Sequence, residues 1–200
     1  MRLKNSYFYT LRENVKDEES ISGNLLVRSG MIRKTSSGIY MMLPMGYKVV
    51  ENIKKIIRKE MNAAGAQELQ MPLLINEEHF IKTGRLSNFG KEMFKVKDRY
   101  NKPYALGPTH EELFTMAASY KINSYKDMPF NLYQIGTKFR DEMRPRFGLV
   151  RVREFTMKDA YSFDINEEKC DVSYNIMKDV YINILNKCKL DYKIVTSDTG

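Results

Sequence analysis

Apolar residues recur three and four positions apart in two segments of the chain, which predicts two long helices. The first covers residues 49–64 and ends at Gly65, a plausible C-terminal cap. The second opens at residues 164–167, where Asp-Ile-Asn-Glu has the form of a capping box. A shorter helix is predicted to begin near Thr109. The predicted buried face of the second long helix consists of Val172, Ile176, Val180, Ile184 and Cys188.

Shorter segments rich in β-branched and aromatic residues predict strands. A turn at residues 100–103 joins two of them into a small hairpin, and two longer ones form a second hairpin. Residues 1–44 are expected to be an irregular entry with a turn at residues 36–38. Hairpins flanked by helices predict an α+β fold with a mainly antiparallel sheet. The predicted strands are residues 67–75, 93–96, 104–106, 131–142, 150–163 and 190–196.

The composition indicates a soluble globular protein, with 42% hydrophobic and 29% charged residues. No apolar run approaches the roughly 20 residues that span a bilayer. The first ten residues lack the apolar centre of a signal peptide. We therefore expect a cytoplasmic protein with no membrane partner. The net charge of +8 favours polyanionic partners, chiefly nucleic acid or phosphorylated ligands.

The two cysteines are not expected to pair. Cys170 and Cys188 are 18 residues apart in one predicted helix, which separates them by about 27 Å. The chain has no C-x-x-C pair, and its only histidines are His79 and His110. No zinc or other protein-bound metal site is therefore expected.

The longer predicted hairpin carries an unusual mixture of side chains. Alternate residues of a strand share a face. A face exposed to water seldom has aromatic rings between its charges, and a core face does not carry the charges. On the first strand one face shows Gln134, Lys138, Arg140 and Glu142. On the second strand one face shows Arg151, Arg153, Phe155, Met157, Asp159 and Tyr161.

This mixture suits a nucleotide together with a small polar substrate. An arginine fork binds phosphate oxygens at two points, an aromatic ring stacks on a base, and a carboxylate accepts from an amine. Arg144 and Arg146, in the loop between the strands, could reach outer phosphates. On the residues alone, a charge-paired surface hairpin remains the alternative.

A second candidate segment is Leu-Gly-Pro-Thr-His-Glu-Glu at residues 106–112. Its spacing favours a capping box made by Thr109 and Glu112. The functional alternative uses Thr109 and Glu111 as acceptors for a substrate ammonium group. His110 is expected to be structural or exposed rather than catalytic.

Together these segments resemble bacterial-type prolyl-tRNA synthetase, a class II aminoacyl-tRNA synthetase, over nearly the whole chain. Residues 43–46, with the helix after them, and residues 65–72 resemble motif 1, which builds the dimer interface of the class. Residues 107–112 resemble the family's T-x-E loop. The hairpin at residues 131–163 resembles motif 2, and its Met-Lys-Asp-Ala-Tyr run separates prolyl from threonyl, seryl and histidyl enzymes.

The resemblance implies a role for each matching residue. Arg140 is expected to be the catalytic residue, holding the α-phosphate and the carboxylate side of proline. The other expected ATP-binding residues are Glu142 near the adenine amino group, Arg151 and Val152 through their backbone, and Phe155 stacked on the ring. The other expected proline-binding residues are Thr109 and Glu111 at the imino group, and Met157, Asp159 and Tyr161 around the pocket.

The implied function is ATP-dependent ligation of L-proline to tRNA(Pro) in the cytoplasm, through a prolyl-adenylate. Proline's carboxylate attacks the α-phosphorus of ATP and expels pyrophosphate, so the protein needs no covalent nucleophile. Positioning and offsetting of charge by arginine and Mg²⁺ are expected to supply the catalysis. A homodimer through motif 1 is also implied.

Residues 1–200 are expected to be the N-terminal part of the catalytic domain, with a class II synthetase-like fold that is incomplete at the C-terminus. Motif 3, the editing insertion and the anticodon-binding domain are absent from the sequence. We therefore expect either a fragment of a longer enzyme or a natural truncation, inactive alone. Gly23 stands where the family usually has histidine, and Val152 where glycine is common.

Two alternative functions stay open. The first is a non-catalytic paralogue that binds RNA or a partner through the same scaffold. The presence of Arg140, Glu142, Thr109 and Glu111 argues against it, because a binding module does not need all four. The second is another class II synthetase, such as a threonyl enzyme. The chain lacks the Cys and His set with which threonyl enzymes hold zinc.

Overall fold

The computed structural model describes residues 3–196. Strands and helices alternate along this part of the chain, with short 3-10 turns at Leu3–Asn5, Gly90–Glu92 and Tyr125–Asp127. The helices are α1 (Ile21–Arg28), α2 (Pro44–Ala63), α3 (Glu77–Lys82), α4 (Arg85–Phe89), α5 (Glu111–Ser119) and α6 (Glu167–Lys187). The strands are β1 (Ile32–Ser36), β2 (Ile39–Met42), β3 (Gln67–Glu68), β4 (Leu74–Asn76), β5 (Lys95–Lys97), β6 (Pro103–Leu106), β7 (Phe130–Phe139) and β8 (Glu154–Phe163).

The strands of the described residues form one two-stranded and two three-stranded sheets, and the long hairpin β7–β8 belongs to one of the latter. In the order β3-β7-β8, β7 and β8 are antiparallel over their full length, and β3 joins β7 in parallel. The second sheet has the antiparallel order β4-β6-β5, and β1 pairs with β2. The predicted α+β class with a mainly antiparallel sheet is therefore confirmed.

One face of the long hairpin packs on α2 and α6. Tyr133 lies at the centre of this core, fully buried beside Met61 and Val180. Its hydroxyl donates to Asn62 Oδ1 at 2.7 Å, so the buried oxygen is not left without a partner. The two helices therefore cover this face and leave the opposite face of β7 and β8 for the polar residues.

A second core lies under the segment that carries Thr109. Phe80 of α3, Ala105 of β6 and Leu113 of α5 are buried there with Ile75 and Met93. This core fixes the end of β6 and the start of α5, and therefore the loop between them.

The two long helices are confirmed, with differences at their ends. α2 begins at Pro44, where proline needs no hydrogen bond, and Gly65 follows its last residues with a φ of +78°. α6 is capped by Asn166, whose side chain accepts from the backbone N–H of Lys169 at 3.0 Å. The predicted cap at Asp164 is wrong, because its carboxylate instead accepts from Ser173 Oγ.

The predicted buried face of α6 is right only in its second half. Val180 and Ile184 are buried, whereas Val172 and Ile176 are exposed. Cys188 caps the helix and is half-buried, and both it and Cys170 are free thiols. The residues of α6 that join the core with α2 and the hairpin lie from Met177 onward, so the first half of the helix has less to pack against.

Several predicted strands differ from the structure. Residues 67–75 break into β3 and β4, because Pro72 lies between them and cannot donate to a ladder. Residues 190–196 form no strand, since they pair with no other strand among residues 3–196. The entry predicted over residues 1–44 is more ordered than expected in its described part, residues 3–44, which contains α1 and the β1–β2 hairpin.

No helix in the described part of the chain is both long enough and apolar enough to span a bilayer.

Candidate active site

The strand register brings the two polar faces of the hairpin together on one surface. Gln134 lies opposite Asp159, and Lys138 lies opposite Phe155. Residues directly opposite in an antiparallel pair project to the same side of the sheet. The charged and aromatic side chains predicted on the two strands therefore form one continuous surface. This surface faces away from α2 and α6.

A buried ion pair lies at the centre of this surface. Lys138 is fully buried, and its Nζ lies 3.0 Å from Asp159 Oδ1. Gln134 Nε2 and the Tyr161 hydroxyl donate to Asp159 Oδ2 at 3.2 and 2.8 Å. Burial lowers the pKa of Lys138, and Asp159 opposes that shift. The carboxylate is thus held in place by two hydrogen-bond donors on Oδ2 and by the charge of Lys138 beside Oδ1.

His110 is joined to the same pair and is fully buried. Its Nε2 lies 3.0 Å from the carbonyl oxygen of Pro72, which can only accept, so Nε2 carries the proton. Nδ1 then accepts from the ammonium group of Lys138. Burial and the nearby charge of Lys138 lower the pKa of His110, in agreement with a neutral ring. The expected structural role for His110 is the one that its contacts support.

The capping box predicted for Thr109 and Glu112 is absent, because the residue that caps α5 is His110. The carboxylate of Glu112 turns away from the helix end. It accepts from Thr83 Oγ1 at 3.0 Å and pairs with Arg85 at 3.1 Å. Thr109 and Glu111 are therefore not committed to closing the helix.

Arg85, at the start of α4, gathers the two predicted acceptors. Its Nη1 lies 2.6 Å from Glu111 Oε2, an ion pair in which the N–H does not point at the oxygen. Its Nη2 donates to Thr109 Oγ1 at 3.4 Å. The Glu111 and Glu112 carboxylates raise the pKa of Arg85 against the effect of burial. Arg85 was not predicted, because it lies more than twenty positions before Thr109 and Glu111 and belongs to no motif.

Tyr161 connects the hairpin to the same loop. Its hydroxyl accepts from the backbone N–H of His110 at 3.3 Å, and its ring lies 4.4 Å from that of Phe114 in α5. Asp159 and Tyr161 are therefore beside the loop that carries Thr109 and Glu111. Met157 lies further along β8, where its sulfur is 4.0 Å from Arg140 Nη2.

The residues predicted to bind ATP line one open cleft of about 470 Å³ at the end of the hairpin. All five predicted positions contribute to its wall. Four of them lie outside the strands, because β7 ends at Phe139 and β8 begins at Glu154. The predicted strand ends at Glu142 and Val150 are therefore wrong, although the proximity is right. The lining residues are Glu92, Arg140, Glu142, Leu149, Val150, Arg151, Val152, Phe155 and Thr156.

Arg140 and Glu142 set the charge of the cleft. The guanidinium of Arg140 lies 5.4 Å over the ring of Phe155, and its Nε is buried without a hydrogen-bond partner among residues 3–196. Glu142 Oε2 pairs with Arg151 Nε at 2.6 Å, and Oε1 accepts from the N–H of Arg144 at 2.9 Å. The hydrogen bond from Arg151 lowers the pKa of Glu142. Arg151 is neutralised by Glu142, so the guanidinium of Arg140 beside the ring of Phe155 is the part of the cleft suited to an anionic, ring-containing ligand.

Another cleft, of about 420 Å³, lies on the opposite side of β8 against α6. Its walls are mainly apolar, and they include none of the predicted site residues. Among residues 3–196, no group of three or more His, Cys, Asp or Glu side chains is arranged to hold a metal ion.

Residues 94–200 match the family model described as the tRNA synthetase class II core domain (G, H, P, S and T). The matched segment contains the loop with Thr109 and Glu111 and the whole long hairpin.

Curated relatives match over all 200 residues. The chain is 53% identical to the proline–tRNA ligase of Caldicellulosiruptor saccharolyticus and 50% identical to that of Finegoldia magna. In both cases the match covers 100% of this chain and 35% of the relative. The chain thus spans about a third of the length of these relatives.

Solved structures share the fold at lower identity. The prolyl-tRNA synthetase of Giardia lamblia, in complex with prolyl-adenylate, matches with a TM-score of 0.73 and 24% identity over 78% of this chain and 33% of that one. That of Cryptosporidium parvum, complexed with halofuginone and AMPPNP, matches with a TM-score of 0.75 and 20% identity over 87% of this chain and 38% of that one. The observed fold is therefore that of class II prolyl-tRNA synthetases.

Proposed function

This chain belongs to the class II tRNA synthetase core domain family (G, H, P, S and T), and we propose that within it the chain forms part of a proline–tRNA ligase. Such an enzyme joins L-proline to tRNA(Pro) in the cytoplasm, with ATP as the energy source. The observation that carries the proposal is the placement of the five residues expected at ATP in one cleft. The names of relatives that are about half identical over the whole chain support proline as the amino acid.

The proposed proline site lies between the β6–α5 loop and β8. Thr109 and Glu111 accept from the imino group of proline, and Asp159, Tyr161 and Met157 line the pocket. The contact of Tyr161 with the His110 backbone supports this placement, because it brings β8 to the loop. Glu111 Oε2 lies beside Arg85 but has no hydrogen-bond partner among the described residues, so it can accept from a bound imino group. A related enzyme from Cryptosporidium parvum was solved with L-proline and AMP.

The proposed ATP site is the cleft at the end of the hairpin. Arg140 binds the α-phosphate, Glu142 and the backbone at Arg151 and Val152 meet the adenine, and Phe155 stacks on its ring. The buried Nε of Arg140 supports this role, since a phosphate oxygen would supply the partner it lacks among the described residues. The Arg140 guanidinium already lies over the ring of Phe155. A base that stacks on Phe155 therefore uses the opposite face of the ring or displaces the guanidinium from its position over it.

The proposed reaction needs no covalent nucleophile from the protein. Proline's carboxylate oxygen forms a bond to the α-phosphorus, and the bond to the departing pyrophosphate breaks. Arg140 is positioned to offset the charge that develops on the α-phosphate oxygens. The carbonyl carbon of the adenylate is then attacked by a hydroxyl of the terminal ribose of tRNA(Pro), with AMP as the leaving group. The net charge of +8 is compatible with a tRNA partner.

Mg²⁺ is proposed only as a companion of ATP. The described residues offer no cluster of metal ligands, so its ligands would be phosphate oxygens and water rather than a protein cage. When bound, it would neutralise part of the phosphate charge.

We propose that residues 1–200 are the N-terminal part of a longer catalytic domain and that the complete enzyme is a homodimer. The segment that resembles motif 1 supports the proposal of a dimer, because several large apolar side chains of β2 and α2 are exposed in and just before it. They are Met41, Met42, Met45, Tyr47, Val49 and Ile53.

The direct test is amino-acid-dependent exchange between ATP and pyrophosphate by the complete enzyme, measured with each of the twenty protein amino acids. Proline should support exchange far better than serine, threonine, glycine or histidine, and charging of tRNA(Pro) should follow. Exchange that depends on one of those four instead would refute the proline assignment. Absence of exchange with every amino acid would favour the non-catalytic paralogue.

A further inference from the structure

Arg140 and Glu142 lie beyond the end of β7, so the strand ladder does not hold them. The backbone N–H of Arg140 donates to the carbonyl oxygen of Arg153 at 2.9 Å. The N–H of Glu142 donates in turn to the carbonyl oxygen of Arg140 at 2.7 Å. The position of both residues in the cleft therefore depends on Arg153.

The side chain of Arg153 supplies a second connection. Its Nε donates to the carbonyl oxygen of Glu142 at 3.0 Å and lies 3.5 Å from Asp141 Oδ1. Its Nη1 donates to the carbonyl oxygen of Ser37 at 3.4 Å. A planar guanidinium can serve several carbonyls at once because its donors point in fixed, different directions. Arg153 thus connects the ATP cleft to the turn between β1 and β2.

The backbone of Arg153 is attached to the same turn. Its N–H donates to the carbonyl oxygen of Gly38 at 2.8 Å. Gly38 has a φ of +75°, and a Cβ there would lie 2.8 Å from Pro145 Cβ and Cγ and 3.2 Å from Arg153 Cγ. Only glycine lets the turn come this close in this conformation.

We propose that Arg153 is a positioning residue, which holds Arg140 and Glu142 in place for ATP and is itself held by the Ser37–Gly38 turn. Arg153 does not line the cleft, so it acts through the residues that do. The role gives the β1–β2 hairpin a function in nucleotide binding although it contributes no residue to the cleft. The inference rests on the proposed function, because it concerns the binding of ATP.

The test uses Arg153→Met, Arg153→Lys and Gly38→Ala in the complete enzyme. Proline-dependent exchange is measured per active site, at saturating proline, to separate KM for ATP from kcat. Arg153→Met should raise KM for ATP about tenfold, because both connections of the guanidinium are lost. Arg153→Lys should give an intermediate KM, since an ammonium can replace only part of the fork. Gly38→Ala should also raise KM for ATP, because its Cβ would displace the turn that holds Arg153.

The matched control is Arg33→Met. Arg33 lies in the same hairpin and also donates to a main-chain carbonyl, that of Val27 at 3.2 Å, away from the cleft. The Arg33→Met substitution should leave KM for ATP within about twofold of the wild-type value. A purely structural role for Arg153 would lower the melting temperature or the active fraction without moving KM, and that result would overturn the inference.

Folding failure of one variant does not remove the test. If Arg153→Met does not fold, an unchanged KM for ATP in both Arg153→Lys and Gly38→Ala overturns the inference. Failure of the proposed function has a different signature, because the wild-type enzyme would then show no proline-dependent exchange at all.

Discussion

At the scale of single residues, the site depends on side chains that the sequence presents separately. The parity of the strands predicted that Asp159 shares a face with Tyr161, and the register confirms it. The pairing of Lys138 with both Asp159 and His110 was not predicted. These contacts join residues more than twenty positions apart, and local spacing has no information on them.

The buried pair of Lys138 and Asp159 should be strongly coupled. Lys138→Met leaves the Asp159 carboxylate buried without its cation, so we expect a loss of about 3 kcal/mol in the free energy of unfolding. Adding Asp159→Asn should recover about 1 kcal/mol or more of that loss. Denaturant unfolding of the single and double variants measures the coupling.

The control for that cycle is Lys54→Met. Lys54 forms an ion pair with Glu51 at 2.8 Å on the surface of α2, and its loss should cost less than about 1 kcal/mol. Equal losses in the two lysine variants, or strictly additive effects of Lys138→Met and Asp159→Asn, would contradict the buried coupling.

His110 should make the stability depend on pH. Its pKa in the folded chain lies below the ordinary value of 6.5, because burial and Lys138 disfavour the imidazolium. The unfolded chain therefore binds the proton at a higher pH than the folded chain. The stabilisation is complete above pH 6.5 and is lost as the pH falls from there towards the folded pKa.

We expect the free energy of unfolding of the wild-type chain to fall more steeply than that of His110→Gln between about pH 7 and about pH 5. Urea unfolding at several pH values measures the slopes. His79→Gln, at the only other histidine, is the matched control. Parallel slopes for wild type and His110→Gln would refute the role given to His110.

At the scale of elements, the sequence predicted the long helices α2 and α6 and the long strands β7 and β8, but it misplaced their ends. The core of the hairpin follows from alternation, which ten consecutive residue pairs satisfy. Where β7 stops is decided by contacts of Arg140 and Asp141 with Arg153 and Glu92, which the pattern along one strand does not encode. The predicted strand over residues 67–75 is likewise divided at Pro72, since Gln67 and Glu68 pair with β7 whereas Leu74 and Ile75 pair with β6.

The N-terminus of α6, capped by Asn166, provides a test of how one helix boundary is fixed. Asn166→Ala should cost about 1 kcal/mol of unfolding free energy, because the backbone N–H of Lys169 loses its acceptor. Asn175→Ala, in the exposed middle of the same helix, is the matched control and should change stability by about 0.5 kcal/mol or less. Denaturant unfolding followed by circular dichroism distinguishes them. A larger loss in the control would mean that Asn166 does not cap the helix.

At the scale of the whole molecule, one sheet face is committed to the core and the other to the site. α2 and α6 cover the Tyr133 side of the hairpin, which frees the Asp159 side for polar chemistry. Strand parity predicted the mixed polar face, but it did not predict that α2 and α6 cover the opposite one. The surroundings of Thr109 and Glu111 were not predictable, because they combine the end of β6, α4 and α5 with the hairpin.

The exposed apolar surface of α2 leads to a prediction about assembly. Val49→Glu should convert the proposed dimer of the complete enzyme to monomer, since a charge would be buried in the interface. Val172→Glu in α6 is the matched control, with 51% exposure against 47% for Val49. Light scattering coupled to gel filtration gives the mass. A dimer that survives Val49→Glu, or that Val172→Glu dissociates equally, would contradict a motif 1 interface.

We propose that the end of the β7–β8 hairpin binds ATP beside a proline site between β8 and the β6–α5 loop, and Arg140 tests this proposal most directly. The measurement is proline-dependent ATP–pyrophosphate exchange by the complete enzyme carrying Arg140→Ala, with Arg33→Ala as the control. We predict a fall of roughly a hundredfold or more in kcat/KM for Arg140→Ala, because the charge on the α-phosphate loses its partner. Near-normal exchange by folded Arg140→Ala enzyme would contradict the account.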